Sequence, residues 1–486
     1  MDTLGPVLVV LGRVLCGFSL AFLVPLVWAW GLGETQLLHV WMSGFLGTLA
    51  AGVMLSLLTR RFRRELQPKD GFLLVTLVWI TLPACAALPL LDAVPRMNAA
   101  GAYFEAMSAL TATGATAIAG LDHLPVSINV WRCFLQYIGG LGIILLVVAV
   151  LPLLGLGGMQ LYRAEAPGPL KDARLTPRIA ETARGLWTVY FALSAACLLA
   201  FRWAGMSWAD AFMHMCSTMG LGGFSSHDAS FGYWNSPLIE GVAMVFMTLA
   251  GISFARYFIA WRNRSARSVI QDAEVRAYVF ILCGAVLLLS LLLFYYGVYA
   301  TYFQSLRAAA FQVISLATTT GYASTDYANW PVFAPVLLIF LGCFATCAGS
   351  TGGGIKMVRM LVLVKQARRE LVRIIHPRVI NPVTLGGANV PSSVIAAVLA
   401  YMLFYGATIT GLTMLLLLSG LELVTAFSAV IVCVNNIGPG LGLVGPAKNF
   451  GILTDFHLWV LSFGMLLGRL ELMTVLVLFT GAFWRK

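Results

Sequence analysis

The stretch Thr318-Thr319-Thr320-Gly321-Tyr322 decides the fold of this 486-residue chain. It follows an apolar segment at residues 306–317, which is too short to span a bilayer because a spanning helix needs about 20 residues. The segment therefore predicts a half-helix that enters the membrane and turns back. Non-helical backbone survives at membrane depth only where protein buries it or where it lines a wet cavity. A run of Thr ending in Gly suits a ring of carbonyl oxygens that replaces the water around an ion.

Three further tips of this kind occur along the chain, and each also follows an apolar segment: Thr111-Ala112-Thr113-Gly114, Met219-Gly220-Leu221-Gly222-Gly223 and Asn435-Asn436-Ile437-Gly438. A Phe lies ten positions before Gly114, Gly222 and Gly321, and eleven positions before Gly438. Self-similarity at a repeated spacing is typical of repeat architectures. We therefore predict four re-entrant loops that form one pseudo-fourfold pore, with one glycine from each loop at Gly114, Gly222, Gly321 and Gly438.

The composition is that of an integral membrane protein. The chain is 60% hydrophobic and 10% charged, whereas soluble domains carry about 25% charged residues. The net charge of +11 comes from clusters of Lys and Arg between the apolar segments. Such clusters mark the cytoplasmic side of the membrane and are not a nucleic-acid signal here. The tips fall on the opposite side, together with four acidic residues, Asp122, Asp228, Asp326 and Asp455.

The apolar segments predict an all-α polytopic membrane protein with ten transmembrane helices and both ends in the cytoplasm. An N-terminal helical hairpin, residues 5–30 and 38–58, stands outside the repeats. Each repeat has an outward helix, a half-helix and a returning helix, at residues 72–91, 99–110 and 131–154; 186–203, 208–218 and 237–261; 277–296, 306–317 and 331–364; and 394–418, 422–434 and 456–483. Trp131 and Arg132 are placed like an interface anchor.

These segments predict five divisions of the chain. The hairpin occupies residues 1–69. The first repeat and a long polar cytoplasmic connection, residues 156–184, occupy 70–184. The other three repeats occupy 185–273, 274–390 and 391–486.

A glycine-rich segment, Ala348-Gly349-Ser350-Thr351-Gly352-Gly353-Gly354-Ile355-Lys356, interrupts the third returning helix. Three consecutive glycines break a helix, because each costs about 1 kcal/mol relative to Ala. A nucleotide phosphate loop is excluded, since its Lys must precede Ser or Thr and Lys356 precedes Met357. Close helix packing through small residues stays open. We favour an intramembrane gating loop below the tips, because the other returning helices show no similar segment.

Arg469 lies near mid-depth in the last predicted helix, where a charge is costly and marks a functional site by default. Glu471 is two positions away on a different face of that helix, so it is a poor partner within the helix. Two interpretations are open. Arg469 forms a structural ion pair with another buried group, or its guanidinium meets carbonyls of residues 349–354, where its charge would repel a permeating cation.

Together these features resemble the TrkH family, the membrane subunits of bacterial Trk potassium uptake systems, within the wider Trk/Ktr/HKT superfamily. The resemblance covers essentially the whole chain, including the N-terminal hairpin that Ktr-type relatives lack. The motifs that carry it are Gly222-Gly223-Phe224-Ser225 with His227-Asp228, Thr319-Thr320-Gly321-Tyr322, Asn435-Asn436-Ile437-Gly438-Pro439-Gly440 and Ala164-Glu165-Ala166-Pro167-Gly168-Pro169.

The resemblance implies K+ uptake across the bacterial cytoplasmic (inner) membrane, with no organic cofactor. It implies a homodimer with a pore in each subunit, and a cytosolic nucleotide-binding ring of the TrkA type that drives the gate. The backbone expected to hold the ion belongs to Thr111, Ala112, Thr113, Gly114, Gly220, Leu221, Gly222, Thr319, Thr320, Gly321, Asn436, Ile437 and Gly438. The expected gate consists of Gly349, Ser350, Thr351, Gly352, Gly353, Gly354, Lys356 and Arg469.

The residues also bear on two other function classes. A Na+- or H+-coupled cation symporter of the same superfamily would place its site at helix breaks near the midplane, often with intramembrane acids. Glu471 is the one membrane-centred carboxylate that suits this role. A polytopic membrane enzyme would need a cluster of His, Asp or Ser at one interface, and the sequence shows none. We therefore predict a transport protein and not an enzyme.

Overall fold

The computed structural model describes residues 4–62, 67–145 and 176–485. The described chain is mostly helical with almost no strand, as the sequence predicts, and its all-α polytopic fold class is confirmed. Residues 156–175 of the predicted cytoplasmic connection, which include its Ala164-to-Pro169 motif, lie outside the described residues. The rest of that connection, residues 176–184, belongs to a helix.

The N-terminal hairpin consists of three helices, α1 (Leu4–Ser19), α2 (Leu23–Gly31) and α3 (Thr35–Leu58). Its two arms cross at a pair of glycines. A Cβ atom on Gly12 would lie 2.8 Å from the carbonyl oxygen of Gly52, and one on Gly52 would lie 2.7 Å from that of Gly12. Small residues allow such close approach of helices in a membrane, so these two glycines set the crossing.

The four repeats follow in the predicted order of outward helix, half-helix and returning helix. The first repeat contains α4 (Pro68–Ala93), α5 (Ala99–Leu110) and α6 (Val126–Leu145). The second contains α7 (Thr176–Trp203), α8 (Trp208–Gly220), α9 (Pro237–Ala250) and α10 (Phe254–Arg262), and the short α11 (Arg267–Ile270) follows it. The third contains α12 (Ala273–Tyr295), α13 (Tyr302–Ala317), α14 (Phe333–Gly342) and α15 (Met357–Ile375). The fourth contains α16 (Ser392–Leu418), α17 (Leu423–Val434), α18 (Asp455–Arg469), α19 (Met473–Leu476) and α20 (Gly481–Trp484).

Polar residues begin three of the half-helices. The side chain of Asn98 accepts a hydrogen bond from the N–H of Gly101 at the start of α5. Ser207 and Thr301 cap α8 and α13 in the same way. Such caps satisfy N–H groups that a helix leaves free at its first turn. These three half-helices therefore each start at a defined residue.

The returning helices differ from the prediction, because three of them are broken and not only the third. Helices α9 and α10 meet at a bend of 83°, and α18 and the segment after it meet at 106°. In the third repeat, residues 343–356 separate α14 from α15. The expectation that the glycine-rich segment has no counterpart in the other returning helices is wrong in this respect. Main-chain hydrogen bonds explain the second-repeat break: the N–H of Cys347 donates to Gly251, and that of Phe254 donates to Gly349.

Six helices in the described part of the chain are long and apolar enough to cross a membrane, and the two bent pairs raise this number to eight. The remaining two of the ten predicted spans correspond to α6, whose description ends at Leu145, and to α14, which ends at the glycine-rich segment. The chain is thus a multi-pass membrane protein.

Trp131 and Arg132 on α6 are buried, with exposed fractions of 0% and 1%, so the predicted interface anchor is wrong. Arg132 forms a 2.8 Å salt bridge with Glu105 of α5, which is also fully buried. Glu105 in turn accepts a 2.7 Å hydrogen bond from the N–H of Ala117. A buried charge needs a partner and further hydrogen bonds, and this pair uses them to fix the chain that leaves the first tip.

A small hairpin connects α15 to α16. Strands β1 (Thr384–Leu385) and β2 (Ala388–Asn389) pair antiparallel. Gly386 and Gly387 between them both have positive φ, as a tight two-residue hairpin turn requires.

Candidate ion-conducting site

The four half-helices end in the same backbone conformation. Each is followed by a non-glycine residue with φ between 51° and 61°, namely Ala112, Leu221, Thr319 and Asn436. The next residue donates its N–H, over 2.8–2.9 Å, to a carbonyl five positions upstream; the pairs are Thr113–Ser108, Gly222–Ser217, Thr320–Ser315 and Ile437–Val432. A glycine with φ between 77° and 104° follows in every case. Such a capped end satisfies helix carbonyls and reverses the chain.

The four glycines and the carbonyls before them form a closed ring. A Cβ atom on Gly114 would lie 2.1 Å from the carbonyl oxygen of Gly222 in the second tip. Equivalent Cβ atoms would lie 2.0 Å from Thr320 for Gly223, 2.1 Å from Ile437 for Gly321 and 2.9 Å from Thr113 for Gly438. Each tip therefore contacts the next, and the fourth contacts the first. A side chain at any of these glycines would collide with main chain.

The second tip has a different register from the predicted one. The spacing of ten residues from a Phe selects Gly222, but Gly223 has the positive φ and the neighbouring carbonyl that Gly114, Gly321 and Gly438 also have. Gly222 corresponds instead to Thr113, Thr320 and Ile437. Phe212 fails as a marker because the second half-helix, like the fourth, places its Phe eleven residues before the glycine. The other predicted positions all lie in the ring tips or in the turns that lead into them.

The first and third tips each contain the same side-chain contact between two threonines. The hydroxyls of Thr111 and Thr113 are 2.7 Å apart, and those of Thr318 and Thr320 are 2.7 Å apart. The first and third repeats are therefore alike in side chains as well as in backbone.

The glycine-rich segment lies directly against the tips. The N–H of Gly353 donates a 2.9 Å hydrogen bond to Oγ1 of Thr319, and Oγ1 of Thr351 donates one of 3.0 Å to the carbonyl oxygen of Met219. A Cβ on Gly353 would lie 2.2 Å from the carbonyl oxygen of Asn435. The segment thus contacts the second, third and fourth tips at the ends of their half-helices.

Both ends of the segment are fixed by one carboxylate. Oε1 of Glu274 on α12 accepts hydrogen bonds from the N–H of Ala348, at 2.8 Å, and from that of Val358, at 3.0 Å. Within the segment, Nζ of Lys356 donates a 2.6 Å hydrogen bond to the carbonyl oxygen of Gly352. Six of the predicted gate residues therefore form one loop, which we call the glycine loop (residues 349–354), and Lys356 is bonded to it.

Residues 38–486 match the TrkH family model, which is described as a cation transport protein. This range includes all four repeats, the glycine loop and most of α3. The chain belongs to the TrkH family. Members of this family are cation transporters and not enzymes, so the prediction that the chain is not an enzyme is confirmed.

Named relatives resemble the chain over nearly its full length. The Trk system potassium uptake protein TrkH of Vibrio parahaemolyticus is 43% identical over 484 residues, with 98% of each chain covered. TrkH of Escherichia coli K12 is 42% identical, covering 96% of this chain and 95% of its own. The crystal structure of the potassium transporter TrkH from Vibrio parahaemolyticus superposes with a TM-score of 0.90 at 40% identity, covering 99% of this chain and 100% of that one.

Arg469 joins the glycine loop to the first repeat of this TrkH-family chain. Its Nη1 donates a 2.9 Å hydrogen bond to the carbonyl oxygen of Thr351, and its Nη2 donates one of 3.0 Å to that of Gly139 on α6. Arg469 is 3% exposed. No carboxylate among the described residues forms an ion pair with it, so of the two interpretations the contact with loop carbonyls is the one observed.

Glu471 has a different partner, two residues after the end of α18. It forms a salt bridge with Arg359 at the start of α15. The guanidinium of Arg359 also lies 4.2 Å from the ring centroid of Tyr401. Glu471 has a φ of 54° and lies in the break that follows α18. The inference that Glu471 is a poor partner for Arg469 is confirmed.

His227 connects the loops that follow the tips of the first and second repeats. Its Nδ1 is hydrogen-bonded to Asp122, its Nε2 lies 3.6 Å from Oδ1 of Asp210, and its ring stacks on Tyr233 at 3.5 Å. Partial burial lowers the pKa of His227, but the hydrogen bonds and charges of Asp210 and Asp122 outweigh it and leave the pKa raised. Partial burial raises the pKa of Asp122, and its hydrogen bonds to His227 and Asp228 reverse this and leave it lowered.

Sequence reasoning missed two residues that hold the tips, Gly223 and Gln136. The signal for Gly223 was the glycine doublet itself, since two adjacent glycines left the register undetermined. The signal for Gln136 was an uncharged polar side chain in the apolar run of α6. A buried amide needs hydrogen-bond partners, and Gln136 finds them in the second tip.

Proposed function

We propose that this protein carries out potassium uptake across the bacterial cytoplasmic membrane, through a channel-like pore whose selectivity filter is the ring of four tips. The closed ring of Gly114, Gly223, Gly321 and Gly438 with the carbonyls of the neighbouring tips carries this proposal. The names of the relatives as potassium uptake proteins support the choice of ion. The carbonyl ends of the half-helices carry partial negative charge, which favours a cation at the centre.

The ring should prefer potassium to sodium, because the number and field strength of carbonyl ligands set this preference in filters of this type. The four tips are built from different residues, so the ring lacks the fourfold symmetry of a tetrameric channel. We therefore propose a moderate preference, with rubidium transported in place of potassium.

The glycine loop is the proposed gate. Its hydrogen bonds to Met219 and Thr319 place it against the ends of the half-helices, and Arg469 holds it from the fourth repeat. A guanidinium at this depth adds a positive charge below the ring, which raises the energy of a passing cation.

The assembly proposed for this chain is a homodimer whose gate is driven by a cytosolic nucleotide-binding ring of the TrkA type. Its named relatives are described as parts of a Trk system. Helix α15 offers a basic surface to such a partner, with Lys365, Arg368, Arg369 and Arg373. Both chain ends are proposed to lie in the cytoplasm.

Cation symport coupled to Na+ or H+ is the second candidate, and the broken returning helices favour it. Helix breaks near the midplane form the substrate and ion sites of many coupled transporters. The break after α18 carries Glu471, which is paired with Arg359. Symport would make rubidium entry depend on a proton or sodium gradient, whereas a pore would not.

The test is rubidium uptake in cells that lack potassium uptake systems and express this chain with its partner ring. The proposal predicts growth at low potassium, rubidium entry and much slower sodium entry, with no requirement for a second ion gradient. Failure to restore growth would remove the transport proposal. Sodium entry as fast as rubidium entry would contradict the proposed preference for potassium over sodium. A strict requirement for a proton or sodium gradient would favour symport.

A further inference from the structure

Gln136 on α6 holds the second tip by both ends of its side-chain amide. Its Nε2 donates a 2.7 Å hydrogen bond to the carbonyl oxygen of Gly222, and its Oε1 accepts one of 3.1 Å from the N–H of Phe224. The side chain is fully buried. The amide therefore pairs with the main chain on both sides of Gly223, as a neighbouring strand would.

The chemistry of the partners fixes the orientation of this amide. The N–H of Phe224 can only donate and the carbonyl oxygen of Gly222 can only accept. With the amide reversed, Nε2 would face the N–H of Phe224 and Oε1 would face the carbonyl oxygen of Gly222, so neither contact would be a hydrogen bond. Gln136 thus has one hydrogen-bonded arrangement, and that arrangement places a donor on Gly222.

Because Gly222 has no side chain, there is room beside it for the amide of Gln136. A Cβ on Gly222 would lie 2.3 Å from Cδ of Gln136. The contact between the third returning helix and the fourth tip is filled differently. There a Cβ on Gly342 would lie 2.8 Å from the carbonyl oxygen of Leu316, in the half-helix of the same repeat. Gly139 has the same relationship to Leu110 in the first repeat, at 1.9 Å. Three residues before Gly342, where Gln136 would be expected by analogy, stands Ile339.

The fourth tip fills its space with a side chain instead of an amide. Ile437 corresponds to Gly222, and its Cδ1 would lie 2.6 Å from a Cβ on Gly342. The side chain of Ile437 thus occupies one contact, while the Gln136–Gly222 pair occupies the other. The amide at Gln136 is specific to the second tip.

This arrangement makes one carbonyl of the ring unlike the other three. Within the described residues, no hydrogen-bond donor reaches the carbonyl oxygens of Thr113, Thr320 or Ile437, whereas Gly222 accepts from Gln136. A donor on a carbonyl oxygen limits its movement and shares its negative charge. Because the field strength of the carbonyls and the fit to the ion decide selectivity, this bond bears on the ion that the ring prefers.

We propose that Gln136 is a positioning residue for ion selectivity, which holds the Gly222 carbonyl away from a collapsed position and keeps the ring at the size of the larger ion. This inference rests on the proposed function of the ring as a potassium filter. Without the amide, the Gly222 oxygen is free to move toward a smaller ion, so sodium should gain relative to rubidium.

The experiment measures sodium and rubidium entry into proteoliposomes that contain the purified full-length protein, either as the wild type or as one of two Gln136 variants. Gln136→Met keeps the length of the side chain and removes both hydrogen bonds, and Gln136→Leu removes them with another shape. The matched control is Gln312→Met, since Gln312 is a buried glutamine that reaches the outer residues Ser324 and Thr325 and no ring carbonyl. Size-exclusion profile and melting temperature show whether each variant is folded.

The inference predicts that the sodium-to-rubidium ratio rises about threefold to tenfold in both Gln136 variants, the effect of losing a hydrogen bond of ordinary strength, and stays at the wild-type value in Gln312→Met. A folded Gln136 variant with the wild-type ratio would overturn the inference while leaving the proposed function intact. If one variant fails to fold, the other decides. A wild-type protein that carries neither ion would instead overturn the proposed function, and this inference with it.

Discussion

Nη1 of Arg469 donates a 2.9 Å hydrogen bond to the carbonyl oxygen of Thr351, across 118 residues of chain. The same guanidinium bonds Gly139 through Nη2. One buried side chain from the fourth repeat thus ties the glycine loop to the first repeat. A loop held by two charge-assisted hydrogen bonds can be released as a unit when its anchor moves, which is the behaviour expected of a gate.

Arg469→Gln should raise basal rubidium flux by about tenfold or more, since a hydrogen bond from a charged group contributes about 1.5–3 kcal/mol and the positive charge below the ring also disappears. Rubidium uptake into proteoliposomes without the partner ring measures this. The control is Arg202→Gln, because Arg202 donates a 3.1 Å hydrogen bond to the carbonyl oxygen of Met206 at the C-terminal end of α7, away from the ring. Flux at the wild-type level in folded Arg469→Gln would mean that Arg469 only stabilises the fold.

Gly321→Ser should relax discrimination against sodium. Gly321 has a φ of 86° and a neighbouring carbonyl 2.1 Å from where a Cβ would stand, so the serine must displace the fourth tip. Gly297→Ser is the control, since Gly297 also has a positive φ of 66° but no atom near its Cβ position. The relative entry of sodium and rubidium distinguishes them. Unchanged selectivity in folded Gly321→Ser would count against the assignment of the filter.

Deletion of residues 352–354 should raise basal flux and reduce the dependence on the partner ring. It removes the hydrogen bond from Gly353 to Thr319 and the close contact with Asn435. Rubidium uptake with and without the partner measures both effects. A folded deletion variant whose pore stays as closed as the wild type would indicate that the loop only packs helices.

The His227 contacts should make stability depend on pH. Since the pKa of His227 is raised, its contribution is complete below its ordinary value of 6.5 and is lost as pH rises through the raised value. Since the pKa of Asp122 is lowered, its contribution is complete above 3.8 and is lost as pH falls through the lowered value. The stabilisation is therefore greatest between pH 3.8 and 6.5.

Melting temperature against pH tests this for the wild type and His227→Gln. The difference in melting temperature between the wild type and His227→Gln should be largest between pH 3.8 and 6.5 and should decrease at higher pH. His376→Gln, at an exposed histidine after α15, should follow the wild type throughout. A constant gap at all pH values would show that protonation of His227 contributes nothing.

Local pattern predicted the parts of this fold that local chemistry determines. Helix α5 occupies residues 99–110 as expected, because the residues that begin and end it, Asn98 and Thr111, are its direct neighbours in sequence. The break at residues 251–253 depends on hydrogen bonds with Cys347 and Gly349, nearly 100 residues away in sequence, and no local signal encodes it. The register of Gly223 and the partner of Arg469 were likewise decided by neighbours from other repeats.

The most direct test of the central claim is an experimental structure with rubidium, located by its anomalous scattering. The account predicts a rubidium site on the axis of the ring, coordinated by main-chain oxygens of the tips that carry Gly114, Gly223, Gly321 and Gly438. A rubidium site that avoids this ring, or a ring that stays free of ions at saturating rubidium, would contradict it.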